Sequence, residues 1–176
     1  MRFYREPSQP VDTDVESVLD SVLKLYGKRM STASISLERE VRPRSPLVLS
    51  TPGELRQILA NLIGNAIDAM RGGGRLRIRI SAHGCSVRIS VADSGIGIPT
   101  DVFPTIFEPF VTTKGETGTG LGLWVTSEII RKNAWSIRVR SKETPGASGT
   151  VFSIVIPKLP EPCVHEAPAD HAHVSA

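Results

Sequence analysis

Apolar residues recur along this chain in two periods, and these periods predict an alternation of helices and strands. Spacings of three and four residues place side chains on one face of a helix. Such spacings predict helices at residues 13–29, 52–71 and 121–132. Gly27 closes the first helix and Gly72–Gly74 end the second, because glycine readily adopts the backbone conformation that terminates a helix.

Alternation of apolar and polar residues predicts strands in most of the remaining chain. Residues 75–93 contain two alternating runs around Ala82-His83-Gly84, which predicts a β-hairpin. Four more strands are predicted at residues 35–41, 47–49, 136–141 and 150–156. Helices mixed with antiparallel hairpins favour an α+β fold: a two-layer α/β sandwich whose helices pack on one face of a mixed, mainly antiparallel sheet.

Length and composition are those of a single domain with peripheral ends. Of the 176 residues, 40% are hydrophobic, which is enough for one core. Residues 13–158 are predicted to form the domain, with a polar, proline-containing linker at residues 1–12 and a disordered tail at residues 159–176. The tail histidines are predicted to be solvated rather than to hold a metal ion: His165, His171 and His173.

Charge and cysteine content exclude several classes of protein. The net charge is +3 and the basic residues are spread along the chain, so we expect no nucleic-acid partner. The two cysteines have no disulfide or zinc-site spacing, which fits a reducing compartment. The chain has no apolar run of membrane-spanning length and no signal peptide at its start. We expect a cytoplasmic location, whether or not a longer parent chain is anchored in a membrane.

The second predicted helix carries a row of polar residues. Asn61, Asn65 and Asp68 follow one another at intervals of four and three residues and share one side of the helix. Each asparagine in a helix interior costs roughly 0.5 kcal/mol or more relative to alanine, and Lys or Glu would solvate a surface at lower cost. The row is either a satisfied buried amide network or the polar wall of a pocket, where an amide oxygen can ligate Mg²⁺.

A carboxylate and two glycines follow the second strand of the hairpin. Asp93 ends the strand, and Gly95 and Gly97 come directly after it. A carboxylate in this position can accept a hydrogen bond from an exocyclic amine, and glycines allow a flat ring to lie against the main chain. A plain turn explains Asp93–Gly95 equally well in isolation, but the asparagine row and the later glycines favour a binding site.

Alternating glycines precede the third predicted helix in the segment ETGTGLGLW, residues 116–124. Gly118, Gly120 and Gly122 could form a flexible hinge. They could equally bind phosphate, because bare N–H groups at the start of a helix attract anions. A dinucleotide site is disfavoured, since the spacing is not GxGxxG and the glycines follow a late loop instead of an opening strand.

Four blocks occur in one order along the chain: NLIGNAIDAM (61–70), DSGIGIP (93–99), IFEPFVTTK (106–114) and GTGLGL (118–123). Together they resemble the ATP-binding catalytic domain of bacterial sensor histidine kinases. These kinases share a superfamily with gyrase-type topoisomerases, heat-shock chaperone ATPases and mismatch-repair ATPases. The final strand GTVFSIVIP extends the resemblance over roughly residues 13–158. The resemblance implies a Bergerat-type ATP-binding fold with ATP and Mg²⁺ as cofactors.

The resemblance also implies roles for individual residues at the base and at the metal. Asp93 would bind the adenine amino group, with Gly95 and Gly97 beside the ring. Asn65 would ligate Mg²⁺, and Asn61 would lie beside the phosphates.

At the phosphate end, the resemblance implies that Lys114 reaches the phosphates as a point charge. Lys114 and Asn61 are the candidate catalytic residues. Phe107 and Phe110 would anchor a lid over the nucleotide, and the second glycine block would be both its hinge and the phosphate site. The backbone groups that would hold the phosphates belong to Gly118, Thr119, Gly120, Leu121 and Gly122.

Two other functions within the superfamily are weighed against phosphoryl transfer. An ATP-hydrolysing clamp carries a glutamate four residues before the magnesium asparagine, as the base that activates water. Asn61 occupies that position here, and an amide cannot accept the proton. A non-catalytic nucleotide sensor is disfavoured because none of the four blocks is degenerate.

The resemblance finally implies partners outside this chain. Histidine kinases phosphorylate a histidine on a helical dimerisation hairpin upstream of the catalytic domain, and this sequence has no such segment. We therefore expect an excised catalytic domain that is monomeric, from a parent kinase that is a homodimer. The expected partners are the histidine-containing dimerisation domain of the parent kinase and a downstream response regulator.

Overall fold

The computed structural model describes residues 9–42, 46–113, 118–144 and 146–158, without the side chain of His83. In chain order, the elements of these residues are β1 (Val11–Asp14), α1 (Val15–Thr32), β2 (Ile35–Arg42), β3 (Leu47–Ser50), α2 (Pro52–Ala69), β4 (Gly74–His83), β5 (Ser86–Asp93), a 3₁₀ turn (Phe103–Thr105), α3 (Gly122–Lys132), β6 (Ser136–Lys142) and β7 (Gly149–Pro157). None of the helices within these ranges is both long enough and apolar enough to cross a bilayer.

The strands form two sheets. β1 and β3 pair antiparallel in a small two-stranded sheet. The other five strands form one sheet in the order β2-β4-β5-β7-β6, in which β2 and β4 are parallel and the other neighbours are antiparallel. The register places Asp93, the last residue of β5, opposite Leu76 of β4 and Thr150 of β7. The end of a central strand therefore carries the carboxylate.

The helices pack on one face of the five-stranded sheet, and the main core lies between the two layers. The helix α2 contributes a face that is almost fully buried: Leu55, Ile58, Leu59, Leu62 and Ile63. Alternate residues of the central strands meet it: Leu76, Ile78, Ile80, Val87, Ile89 and Ile154. Burial of each of these side chains stabilises the folded state by about 1.5–3 kcal/mol. The helix α2 is therefore held firmly against the sheet. The predicted α+β sandwich is confirmed.

The main boundary error concerns Gly27, which was predicted to end the first helix. The helix α1 continues to Thr32 and ends where the N–H of Ala33 donates to Arg29 O and Ser34 adopts a φ of 54°. A Cβ at Gly27 would meet nothing within 4 Å. An open glycine costs a helix only about 1 kcal/mol relative to alanine, and packing on both sides outweighs this cost.

The predicted linker at residues 1–12 is also partly wrong, because the fold begins before residue 13. Val11 and Asp12 belong to β1, where they pair with Ser50 and Leu49. The rest of the linker prediction, residues 1–8, and the predicted tail with its histidines lie outside the described residues.

Candidate functional site

A cavity of about 780 Å³ opens between the helical layer and the loops that follow β5 and precede α3. Its volume is in the range of small-molecule and cofactor sites. Residues from all four sequence blocks line it, together with residues of α1 and β7. The predicted site residues that it brings together are Asn61, Asn65, Asp93, Gly95, Gly97, Gly118, Thr119, Gly120 and Gly122. Leu121 is not a lining residue, and Lys114 lies outside the described residues.

Asp93 is fixed in the cavity wall by two backbone donors. Its Oδ1 accepts hydrogen bonds from the N–H of Gly95 at 2.8 Å and from the N–H of Thr150 at 3.3 Å. Burial raises the pKa of the Asp93 carboxyl above its ordinary value, because a charge is costly to remove from water, and the two backbone hydrogen bonds offset only part of this rise. The carboxylate is therefore oriented and only weakly hydrated, which suits it to accept a hydrogen bond from a ligand.

The asparagine row of α2 lines the cavity, as its spacing predicts. The amide Nδ2 of Asn61 donates to the carbonyl oxygen of Gly122 at 2.9 Å and to Thr126 Oγ1 at 3.3 Å. Thr126 is fully buried and also donates to Gly122 O, at 2.9 Å. Asn61 thus connects α2 to the first turn of α3, and its donor group is occupied.

One turn further along α2, Asn65 also lines the cavity. Its amide oxygen is a suitable Mg²⁺ ligand beside phosphate and water. Within the described ranges no three His, Cys, Asp or Glu side chains lie close enough to hold a metal ion. Asp68 completes the row and forms an ion pair with Arg29 of α1 at 2.6 Å.

The first glycine block packs too closely against its neighbours for any side chain. A Cβ at Gly95 would lie 2.6 Å from the carbonyl oxygen of Ala69 at the end of α2. Gly97 has a φ of +83°, and its Cβ would overlap the carbonyl oxygen of Lys142 in β6. Both glycines line the cavity, but the packing of the main chain against α2 and β6 is what requires them. The sequence prediction gave only the ligand as the reason.

The second glycine block joins the loop before it to the start of α3. Gly120 has a φ of +64°, and a Cβ there would overlap the backbone of Phe110. The N–H of Phe110 donates to Gly120 O at 3.1 Å. Because α3 begins at Gly122, the positive end of its dipole lies at the cavity wall.

The two predicted lid anchors behave differently. Phe107 packs against the core, as predicted. Phe110 does not, because its side chain is 74% exposed and its backbone has a φ of 66°. The prediction was wrong for Phe110, whose main chain is turned to meet Gly120. Ile106, in the same block, is 6% exposed and lines the cavity.

Among the cavity residues that were not predicted from the sequence are three polar residues with defined partners. Tyr26 and Arg29 reach the cavity from α1; the Tyr26 hydroxyl donates to Ala60 O at 3.1 Å, and the Arg29 guanidinium lies 5.4 Å from the Tyr26 ring centroid. Thr150 donates its backbone N–H to Asp93. The sequence signal that could have identified Thr150 is a polar residue at a position where strand alternation predicts a buried side chain. Thr150 is 3% exposed.

Comparison with known proteins identifies the family to which most of the chain is similar. Residues 50–160 match the family described as histidine kinase-, DNA gyrase B- and HSP90-like ATPase. The sensor histidine kinase ZraS of Escherichia coli K12 is 36% identical over 139 residues, which are 79% of this chain and 30% of ZraS. This chain therefore corresponds to less than a third of that relative's length.

Solved structures agree in fold. The catalytic domain of the histidine kinase ThkA superposes with a TM-score of 0.76 at 30% identity, covering 85% of this chain and 98% of that domain. In ThkA bound to the response regulator protein TrrA, the TM-score is 0.72 at 27% identity, over 87% of this chain and 43% of that one. Full-length ShkA in complex with AMPPNP gives 0.74 at 32% identity, over 87% of this chain and 32% of ShkA. The chain belongs to the histidine kinase-, DNA gyrase B- and HSP90-like ATPase family and has the fold of a histidine kinase catalytic domain.

Proposed function

We propose that this chain binds MgATP in the cavity beside Asp93 and transfers the γ-phosphate to a histidine on a dimerisation domain outside the chain. The observation that carries the proposal is the shared cavity: an oriented carboxylate, two helix amides and the glycine-rich start of α3 all line it. These groups match, in one place, the amine, the metal and the phosphates of MgATP.

The Asp93 carboxylate has acceptor sites beyond the two that its backbone donors use, and it accepts a further hydrogen bond from the amino group of adenine. The two backbone donors hold Oδ1, so the side chain keeps one orientation without any ligand. Close packing at Gly95 and Gly97 holds the loop next to it. The site therefore loses little conformational entropy when the base enters.

At the phosphates, positioning and charge neutralisation supply most of the catalysis. Backbone N–H groups of Gly118, Thr119, Gly120 and Gly122, which line the cavity, and the dipole of α3 would meet the negative charge. Leu121 is excluded, because its N–H donates to Thr119 Oγ1 at 3.4 Å. Lys114, outside the described residues, would add a cation. Asn65 would hold Mg²⁺ through its amide oxygen, and the ion, when bound, neutralises phosphate charge. Asn61 keeps the start of α3 against α2 through its bond to Gly122 O.

The choice between transfer and hydrolysis depends on Asn61. An amide accepts no proton, and the donor side of this amide is already bonded to Gly122 and Thr126. Water attack at this position therefore lacks a general base, a loss of about 10²–10⁴-fold in rate. A histidine side chain from another domain needs no such base from this residue.

The proposed partners follow from the same assignment. The acceptor is the histidine-containing dimerisation domain of the parent kinase, and a response regulator receives the phosphate from it. The structure of ThkA with the response regulator TrrA supports the second partner. We propose that the isolated chain is monomeric, that the parent kinase is a homodimer, and that the domain works in the cytoplasm.

Incubation with γ-labelled ATP tests this function. We expect no stable label on the chain alone and slow phosphate release. We expect acid-labile label on the parent kinase's helical hairpin when that hairpin is added. Label on the chain itself, or phosphate release at the rate of a dedicated ATPase, would contradict the proposal and favour a self-phosphorylating kinase or a hydrolysing clamp.

Replacing Asn65 by alanine should weaken MgATP binding by about tenfold or more, because the substitution removes an amide ligand of the metal. In EDTA the same variant should bind ATP almost as well as the wild type does. Titration calorimetry in both buffers measures the difference. Asn133→Ala is the control, since Asn133 lies at the end of α3 and bonds to Glu54, away from the cavity. An equal loss with and without metal would make Asn65 a structural residue.

Lowering the pH should weaken ATP binding, starting above the range in which an ordinary aspartate titrates. The amine requires the ionised carboxylate, and burial raises the pKa of Asp93. Affinity should therefore be constant above that pKa and decline as pH falls through it, with protons released on binding. Calorimetry in buffers of different ionisation enthalpy measures both effects. Asp93→Asn should remove this pH dependence. Parallel pH profiles for the wild type and the variant would show that Asp93 is not the titrating group.

A further inference from the structure

The face of the five-stranded sheet that is turned away from the helices is strongly basic. Strand alternation places eight cationic side chains and two carboxylates there, a net charge of +6 on a chain whose total is +3. The two carboxylates are Glu38 and Glu40 of β2. Eight of the 21 lysine and arginine residues, which are dispersed along the sequence, thus share one surface, which we call the basic face.

The half of the basic face on β2 and β4 is partly neutralised. Glu38 accepts from Arg75 at 3.0 Å and from Arg77 at 2.7 Å. Glu40 pairs with Arg79 at 2.8 Å. Two carboxylates therefore serve these arginines and Arg42, which approaches Glu40 at 3.3 Å. The positive charge of this half exceeds the negative charge by two.

The other half of the basic face carries positive charge alone. Arg88 of β5 and Arg138, Arg140 and Lys142 of β6 are all exposed. Among the described residues, none of these four has a carboxylate within ion-pair distance. Four neighbouring like charges repel one another, so a surface of this kind binds anionic partners readily.

Small side chains separate the two rows of cations. Ser90 and Ala92 of β5 lie beside Ser153 and Val151 of β7, and the hydroxyls of Ser90 and Ser153 are 3.0 Å apart. Because three strand spacings separate β4 from β6, the rows are roughly 14 Å apart. An α-helix is about 10–12 Å wide, so a helix or extended segment fits between them.

We propose that the basic face docks an acidic segment of a protein partner. Arginine guanidinium groups pair with carboxylates through two parallel hydrogen bonds, and the rows of arginine on β4 and β6 could engage both sides of one segment. Single-stranded nucleic acid is disfavoured because sites for it use aromatic stacking, and none of the side chains described on this face is aromatic. The proposal is independent of the nucleotide site, which lies on the other side of the sheet.

Fluorescence anisotropy with a labelled polyglutamate peptide of about 20 residues tests the proposal, since such a peptide is long enough to cross the sheet. At about 0.05 M salt we expect saturable binding that weakens steeply at about 0.3 M salt. The double variant R138E/R140E should bind at least tenfold more weakly. The double variant K24E/K28E reverses two exposed charges on α1, reaches the same net charge, and should bind nearly as well as the wild type.

Absence of binding, or an equal loss in both double variants, would overturn the proposal, because the effect would then reflect net charge alone. Single-stranded oligonucleotides of about 20 nucleotides and phosphatidylglycerol vesicles are the competing probes. Tighter binding of either one than of polyglutamate would assign the basic face to that ligand and refute an acidic protein segment. Unchanged ATP affinity in R138E/R140E is expected, and it separates this test from that of the nucleotide site.

Discussion

Asp93→Asn should bind ATP about 10- to 150-fold more weakly than the wild type, a loss of about 1.5–3 kcal/mol. The two backbone donors from Gly95 and Thr150 need an oxygen where Oδ1 stands. An asparagine can satisfy them only with its carbonyl oxygen, which turns its NH₂ group into the cavity. That group would face the adenine amino group, donor against donor. Titration calorimetry with MgATP measures the loss.

The matched control is Asp12→Asn, which removes the same charge from an exposed position in β1. It should bind MgATP as the wild type does. Thermal unfolding of Asp93→Asn should show an intact fold, because both backbone donors keep an acceptor. Equal affinity of the wild type and Asp93→Asn would remove Asp93 from the adenine site.

Gly149→Ala should destabilise the domain by about 3 kcal/mol and lower the melting temperature by roughly 6–12 °C. A Cβ at this position would overlap the carbonyl oxygen of Asp93, so β7 would have to move away from β5. The displacement would also disturb the bond from Thr150 to Asp93, and ATP affinity should fall together with stability. Calorimetric melting and ATP titration measure the two effects.

Gly146→Ala is the control in the same hairpin. Gly146 also has a positive φ, of +78°, but a Cβ there would meet nothing within 4 Å. Only backbone strain of about 1–2 kcal/mol is therefore expected, without loss of ATP affinity. If the two variants were equally stable, close packing against Asp93 would not be the reason for a glycine at position 149.

The spacing of apolar residues correctly predicted which side chains share one side of a helix or strand. The apolar face of α2 fixed which side of the helix Asn61, Asn65 and Asp68 occupy, and the structure places that row in the cavity wall. The alternating sequence RLRIRI of β4 likewise separates a buried side from a basic side. Once β4, β5 and β6 are placed in one sheet, the alternation within each strand is enough to predict the basic face.

Contacts between distant segments could not be predicted in this way. Thr150 meets Asp93 because of the register between β7 and β5, and Tyr26 reaches Ala60 only because α1 packs on α2. The position of Phe110 depends on its bond to Gly120, ten residues away. At Gly27, local propensity pointed to a helix end, and packing of the buried Met30 against the core outweighed it.

Titration of the unmodified chain with MgATP and with MgGTP measures whether Asp93 makes the cavity selective for adenine nucleotides. Guanine presents a carbonyl oxygen where adenine presents its amino group, so an acceptor would face the buried carboxylate. We predict that MgATP binds at least about 100-fold more tightly than MgGTP. Affinities within about threefold of each other would show that Asp93 does not select adenine in this cavity.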